Sequence, residues 1–204
     1  LHSLRRRQRQ MCIRDSCRGI AVFEDLRHKV FDGWRRSSMY TKWAVAIALC
    51  YAVFFSLYTT SVYYSFKNWG SDLGKYVQAF WTTINEGTLF RSNNHVMTAN
   101  PSGSYFGWHF APILFALTPF FALWQSAETL LIIKSFAIGL SILALYLLAR
   151  ELLKNEGKAL AVAVLYALNP HLLTAQVFDF QEQCLLPLFL FLLSVILWMC
   201  LAAW

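Results

Sequence analysis

Acidic side chains are scarce in this chain of 204 residues: 11 Asp and Glu stand against 18 Lys and Arg, and charged residues make up only 14%. Typical soluble domains carry about a quarter, so an ordinary hydrated surface is excluded. Cysteine is sparse and unpatterned. Cys12, Cys17, Cys50, Cys184 and Cys200 form no paired zinc spacing, and three of them lie in or beside apolar runs, where Cys acts as a small hydrophobe. Also lacking are a GxGxxG opening a helix after a strand, a Walker loop, HExxH and GxSxG, which removes the common nucleotide-binding, zinc-protease and serine-hydrolase readings. No internal repeat is visible. No basic surface interleaved with stacking groups stands out, so no nucleic-acid partner is expected.

What the chain has in quantity is apolar length. It is 57% hydrophobic and 17% aromatic, with a mean hydropathy of +0.43. A bilayer core about 30 Å thick needs about 20 mostly apolar residues per helix. Stretches 43–65, 127–149, 159–177 and 185–204 meet that length. The expected fold class is all-α, a polytopic transmembrane helical bundle at residues 43–204. Asn169-Pro170 is a predicted kink within the third stretch.

The ends of the chain are read separately. Residues 1–16, with "RRRQRQMCIRDS", resemble translated sequencing-adapter DNA and are set aside from fold reasoning; the alternative is a genuine basic tail. Residues 17–42 are mixed and basic, a predicted cytoplasmic segment. Eleven of the 18 Lys and Arg fall in residues 1–42, which predicts a cytoplasmic N-terminus and a multi-pass protein of the cell (inner) membrane. The chain stops at Trp204 inside an apolar run, as expected of the N-terminal part of a longer protein.

Residues 66–108 are polar and too long for a simple connector. Within them Leu73, Val77, Phe80, Trp81 and Ile84 fall on one helical stripe. This predicts an amphipathic helix lying on the membrane surface, capped by Ser71 or Asp72 and ended by Gly87. Residues 109–124 are apolar but short, and contain Pro112 and Pro119, which suits a segment that dips into the bilayer and returns. That choice leaves Arg150, Lys154 and Lys158 in a cytoplasmic loop. It also puts Asp72, His109, Asp179 and Glu182 on one face of the membrane.

Several residues carry candidate chemistry. Asp179 and Glu182 are three apart, so on a helix they share a face, where either could accept a proton or bind a metal; at a wet loop end both are also simply inexpensive. Asp72 fits a first-turn helix acid and could face a site as well. His109, at the mouth of the short apolar segment, is either an interfacial structural residue or a catalytic one. His171 is read as packing within a span. Lys134 lies inside an apolar span, where an ammonium costs roughly 2.5–3.5 kcal/mol on insertion scales. It calls for a carboxylate partner or an anionic ligand, unless it snorkels to the nearer surface.

The order "SDLGKYVQAFWTTINEGTLF", "HFAPILFALTPFFALW", "ARELL" and "LNPHLLTAQVFDFQEQCLLPL" resembles a family of uncharacterised multi-pass membrane proteins of bacteria and archaea. Its pattern is D-x-G in a first loop, H-F-[SA]-P, and a D-F-H-x-E loop; Gln181 stands at that His. The layout is also similar to membrane glycosyltransferases of the GT-C type. That resemblance implies a GT-C-like N-terminal module that transfers a sugar from a polyprenyl-phosphate donor at the external membrane face. It implies Asp72 and His109 as catalytic residues, Lys134 and Glu182 as substrate-binding residues, and Asp179 as ligand of a possible divalent metal ion. The implied partners are membrane lipids and the polyprenyl-phosphate sugar. The alternatives are a transporter or flippase, and a non-catalytic membrane scaffold. A transporter would place its ionisable groups near the midplane rather than at one interface.

Overall fold

The computed structural model describes residues 37–68, 70–93 and 101–202. Residues 1–16, and most of the basic segment 17–42, lie outside the described residues. The chain divides into two compact units, Leu1–Lys42 and Trp43–Trp204. Of the first unit only residues 37–42 are described. The second is the helical bundle.

Seven α-helices are described: α1 Met39–Tyr64, α2 Ser71–Asn85, α3 Ile113–Leu123, α4 Ala127–Leu153, α5 Glu156–Ala167, α6 Pro170–Val177 and α7 Leu186–Ala202. Single 3-10 turns cover Tyr105–Gly107 and Glu182–Leu185. Among the described residues there is no β-strand, only an isolated bridge between Arg91 and Ser104. The expected all-α membrane bundle is therefore what forms.

Among the described residues, three helices are long and apolar enough to cross a membrane: Met39–Tyr64, Ala127–Leu153 and the run Glu182–Leu201. Helices α5 and α6 make a fourth crossing if taken together, with a 49° bend between them. The bend falls at Asn169-Pro170 for a local reason. Proline lacks the N–H that would continue the helix, and the Asn169 side chain accepts from the His171 N–H at 2.9 Å, starting a new helix instead. His171 itself is exposed, not packed inside the bundle as its position within a span suggested, because the break turns it outward.

Helix α4 is the hub, buried around most of its surface apart from a stripe at Phe136 and Leu140, with contacts to α2, α3, α5, α6 and α7. It meets α1 through small residues. Ala44, Ala48 and Ala52 are buried on α1. A Cβ added at Gly139 would lie 2.7 Å from the Ala48 carbonyl oxygen and 2.9 Å from the Ala52 Cβ. Close backbone approach over small side chains is how helices associate where lipid removes the hydrophobic drive. The polar Ser56 and Thr59 on α1 are satisfied by their own helix, donating to Ala52 O and Phe55 O, each at 2.7 Å.

The two ends of the bundle follow from three contacts. Tyr64, at the end of α1, donates its hydroxyl to Glu128 in the first turn of α4. The segment between them therefore leaves and returns at the same end of the bundle, and α3, 11 residues long, is shorter than a full span. Lys134, two turns into α4, meets Phe178, just after α6. Gln181 meets Asp72. The connections after α1, before α4 and after α6 thus share one end, and the α4–α5 turn at Lys154 and Asn155 sits some 40 Å away along α4.

Helix α2 forms where the periodicity predicts, but with a different buried face. Leu73, Tyr76, Ala79, Phe80 and Thr82 are buried, while Trp81 is 45% exposed. The helix packs on α3 and α4, so its inner face rests on protein. Its N-cap is Gly70, at φ 72°, with no side-chain capping bond, not Ser71 or Asp72, because the Asp72 carboxylate is drawn to other partners. Gly87, at φ 67°, follows the C-cap as expected.

Candidate functional site

Two small polar clusters sit side by side at the crowded end. In the first, Asp72 in the first turn of α2 accepts from Lys75 Nζ at 2.9 Å and from Gln181 Nε2 at 3.0 Å. Burial works to raise the Asp72 pKa, but the hydrogen bonds from Lys75 and Gln181 and the Lys75 charge outweigh it and hold the carboxyl below its ordinary value. In the second, Glu182 accepts from Tyr76 and, at 2.5 Å, from Tyr105. The two phenol oxygens are themselves 2.8 Å apart. Each hydroxyl has one hydrogen, so two hydrogens serve three contacts. Burial pushes the Tyr105 hydroxyl up, the Lys75 charge opposes and the Asp72 charge adds. Lys75 ties the clusters together: its ammonium lies 5.3 Å from the Tyr76 ring centre and 6.0 Å from that of Tyr105.

The sequence brings these groups together through an aromatic wedge. Phe180 is fully buried and packs edge-on against Tyr76, ring centres 5.1 Å apart. With Phe180 sunk in the core, the next residue, Gln181, extended at φ −137° and ψ 141°, reaches Asp72. Tyr105 is fixed by its 3-10 turn, where Ser104 caps Phe106 at 3.2 Å, and by its own N–H donating to Phe90 O at 2.9 Å.

His109 stands beside the second cluster, its ring centre 5.2 Å from that of Tyr105. With Phe110, Pro112, Glu182, Leu186 and Phe189 it lines an open cavity of about 420 Å³. The wall is mostly apolar, with His109, Glu182 and Gln183 as its polar members.

Asp179 and Lys134 lie elsewhere. Asp179 is 3% exposed and its Oδ2 has no hydrogen-bond partner. It lines a second cavity together with Val62, Lys67 and Asn68. Lys134 is completely buried and donates to the Phe178 carbonyl oxygen at 2.5 Å, with the Asp179 charge acting on it. Below them Gln176 donates to Ser135 Oγ at 2.5 Å. Asp179 and Glu182 therefore face different cavities. Among the described residues no three His, Cys, Asp or Glu side chains gather into a metal site. Asp179 offers a single carboxylate, and the donor set does not fit a divalent ion.

Of the residues singled out from the sequence, Asp72, His109 and Glu182 share one end of the bundle with Gln181 bridging to Asp72, while Lys134 and Asp179 form a buried pair of neighbours behind the loop. Sequence reasoning missed Tyr76, Tyr105 and Lys75. Tyr76 was legible as a polar-tipped aromatic on the inner face of α2; nothing local marks Tyr105.

A bundle of apolar spans with its buried polar groups gathered at one end is a multi-pass α-helical membrane protein. The chain belongs to the predicted membrane protein family DUF2079, whose profile matches residues 62–199. No curated protein and no solved structure matches it.

Proposed function

We propose that this protein is a membrane glycosyltransferase-like module that takes a sugar from a polyprenyl-phosphate donor at the end of the bundle where α2, the Tyr105 turn and the 178–182 loop meet. The observation that carries this reading is an open, largely apolar cavity of about 420 Å³ lined by His109 and Glu182, with Asp72 tied to the same loop through Gln181. In the proposed orientation the N-terminus is cytoplasmic and this end faces outward across the inner membrane. The apolar wall of Phe110, Leu186 and Phe189 suits an isoprenoid chain, and the polar members suit a sugar and its acceptor.

In this reading the acceptor hydroxyl bonds to the sugar C1 as the C1–O bond to phosphate breaks, and the phosphate leaves with that electron pair. Asp72 takes the acceptor proton. A carboxylate held ionised is a weak base, so it takes the proton late, as the new C–O bond forms. Glu182 and His109 orient the sugar hydroxyls. Lys134 contributes by holding the loop through Phe178. No step passes through a metal.

One observation favours the scaffold alternative: Asp72 is already engaged by Lys75 and Gln181. Transfer is tested with the full chain reconstituted in vesicles, a panel of polyprenyl-phosphate monosaccharides and the Asp72→Asn variant. Donor binding retained with sugar release lost in Asp72→Asn supports the proposal. Release that is absent in the native chain, or unchanged in the variant, sinks it in favour of the scaffold.

A further inference from the structure

We propose that the second cavity, about 470 Å³ between the end of α1 and α6, binds the headgroup of a membrane lipid that carries a primary ammonium beyond its phosphate, that is, phosphoethanolamine chemistry. The inference does not depend on the transfer step, although its Asp179 belongs to the same 178–182 loop.

It starts from an excess of acceptors. Asp179 is 3% exposed and lines this cavity, yet its Oδ2 receives no hydrogen bond. Asn68, beside it in the wall, has a buried Oδ1 that also receives none. Thr174 spends its hydroxyl hydrogen on Pro170 O at 2.9 Å, so it too offers only lone pairs to the cavity. A buried carboxylate oxygen without a donor is costly, and the nearest cation does not relieve it. Lys134 bonds to Phe178 O and acts on Asp179 only through its charge. The cavity therefore calls for an incoming group rich in N–H or O–H.

The charge order narrows the group. Lys67 lines the cavity and is exposed, Asn68 is half-buried and Asp179 is buried, so positive charge stands at the mouth and negative charge at the floor. A helix-ending turn fixes that order: Lys67 N–H bonds to Val62 O at 3.2 Å and Phe66 N–H to Tyr63 O at 3.0 Å, with Phe66 at φ 54°. Entering from the membrane surface, a phosphoethanolamine headgroup presents phosphate first and ammonium last. Its phosphate meets Lys67 and its three N–H donors meet Asp179 and Asn68. The remaining wall, Val62, Leu173 and Val177, is apolar and suits the ethylene link. A trimethylammonium headgroup has the same charges but no donor, and a glycerol headgroup has donors but no cation.

The test is lipid binding to the full chain in detergent, read by native mass spectrometry with one synthetic lipid at a time. Phosphatidylethanolamine, phosphatidylcholine and phosphatidylglycerol of identical acyl chains are the probes. The expected result is a preference of about tenfold for phosphatidylethanolamine, the scale of one hydrogen bond to a charged group. Asp179→Asn should abolish that preference, and Lys67→Gln, which removes the phosphate contact common to all three lipids, should weaken binding of all three while keeping their order. Lys67 is exposed, so Lys67→Gln tests the mouth of the site even if Asp179→Asn fails to accumulate. Equal binding of phosphatidylcholine or phosphatidylglycerol by the native chain overturns the proposal and leaves water as the donor to Asp179. Unchanged phosphatidylethanolamine binding in Lys67→Gln overturns it as well.

Discussion

Gln181 Nε2 donates to Asp72 Oδ2 across 3.0 Å, joining the loop after α6 to the first turn of α2. Gln181 stands where the resembled loop pattern has His, and Glu182 stands one position before that pattern's Glu, which Gln183 occupies. An amide donor preserves the contact to Asp72 without adding a titrating group, so the electrostatics of this end rest on Asp72, Lys75 and Glu182.

Gln181→Leu should therefore cost stability at neutral pH and flatten its loss on acidification. The Asp72 pKa is depressed in the folded protein, against burial, by Lys75 and Gln181. A depressed carboxylate stabilises the fold above its unfolded value, near about 3.9, and that contribution is lost as pH falls through the lower folded value. Removing Gln181 raises the folded value toward the unfolded one, so part of the stabilisation is lost at neutral pH. Carbon-13 carboxyl shifts of Asp72 should show a midpoint below the ordinary range in the native chain and a higher one in Gln181→Leu. An unmoved midpoint would mean that Lys75 alone sets it.

The contact of Tyr64 with Glu128 predicts the labelling pattern of intact cells. In a cysteine-free background, a Cys placed at Ser102 and one at Gln183 should react with a membrane-impermeant maleimide from the same side. A Cys at Asn155 should react only from the other. All three positions are exposed. Labelling of Ser102 and Asn155 from one side, with Gln183 reacting only from the other, would mean that α3 crosses.

The Gly139 contact predicts a cost of overpacking. Gly139→Ala places a methyl 2.7 Å from Ala48 O and 2.9 Å from Ala52 Cβ. The helices must separate, at about 1–3 kcal/mol, which thermal unfolding in detergent will register. Adding Ala52→Gly should restore only part of the loss, because the carbonyl clash remains. Full rescue would show that the Cβ contact alone limits the approach.

How much of this was legible in the sequence depends on the range of the interaction. The spans were readable because lipid demands apolar length, and the break at Asn169-Pro170 because proline removes a backbone donor. Helix α2 was readable as a period, but the apolar stripe assigned Trp81 inward and passed over Tyr76. The structure buries Tyr76, at 2% exposure, and leaves Trp81 at 45%, since the Tyr76 hydroxyl has a partner in Glu182. That partner lies 106 positions away, and no local pattern encodes it. Lys134 was readable as a buried charge in need of a partner. That the partner is a backbone carbonyl in the 178–181 stretch depends on how α6 ends against α4, which only packing decides.

The triangle of Tyr76, Tyr105 and Glu182 should behave as one unit. Tyr76→Phe and Glu182→Gln each remove contacts within it, so a double-mutant cycle should show coupling of about 0.5–3 kcal/mol. Additive losses would mean that the three side chains are neighbours without a shared network.

The last prediction separates two roles for Lys134. As an anchor, its ammonium holds the Phe178 carbonyl at 2.5 Å and offsets the charge of Asp179. Lys134→Met keeps most of the apolar volume but leaves that carbonyl without its donor, a loss of about 1–3 kcal/mol, and removes the buried cation whose charge offsets Asp179. The 178–183 loop should then loosen in the absence of any ligand. Limited proteolysis within the loop should accelerate, thermal stability should fall, and Lys134→Met with Asp179→Asn should recover part of the loss because the uncompensated charge is gone. As a donor-phosphate ligand, Lys134 would instead leave the ligand-free loop unchanged and affect only donor affinity. A Lys134→Met protein with native proteolysis and native stability, but weakened polyprenyl-phosphate binding, would overturn the anchoring role and return Lys134 to the substrate.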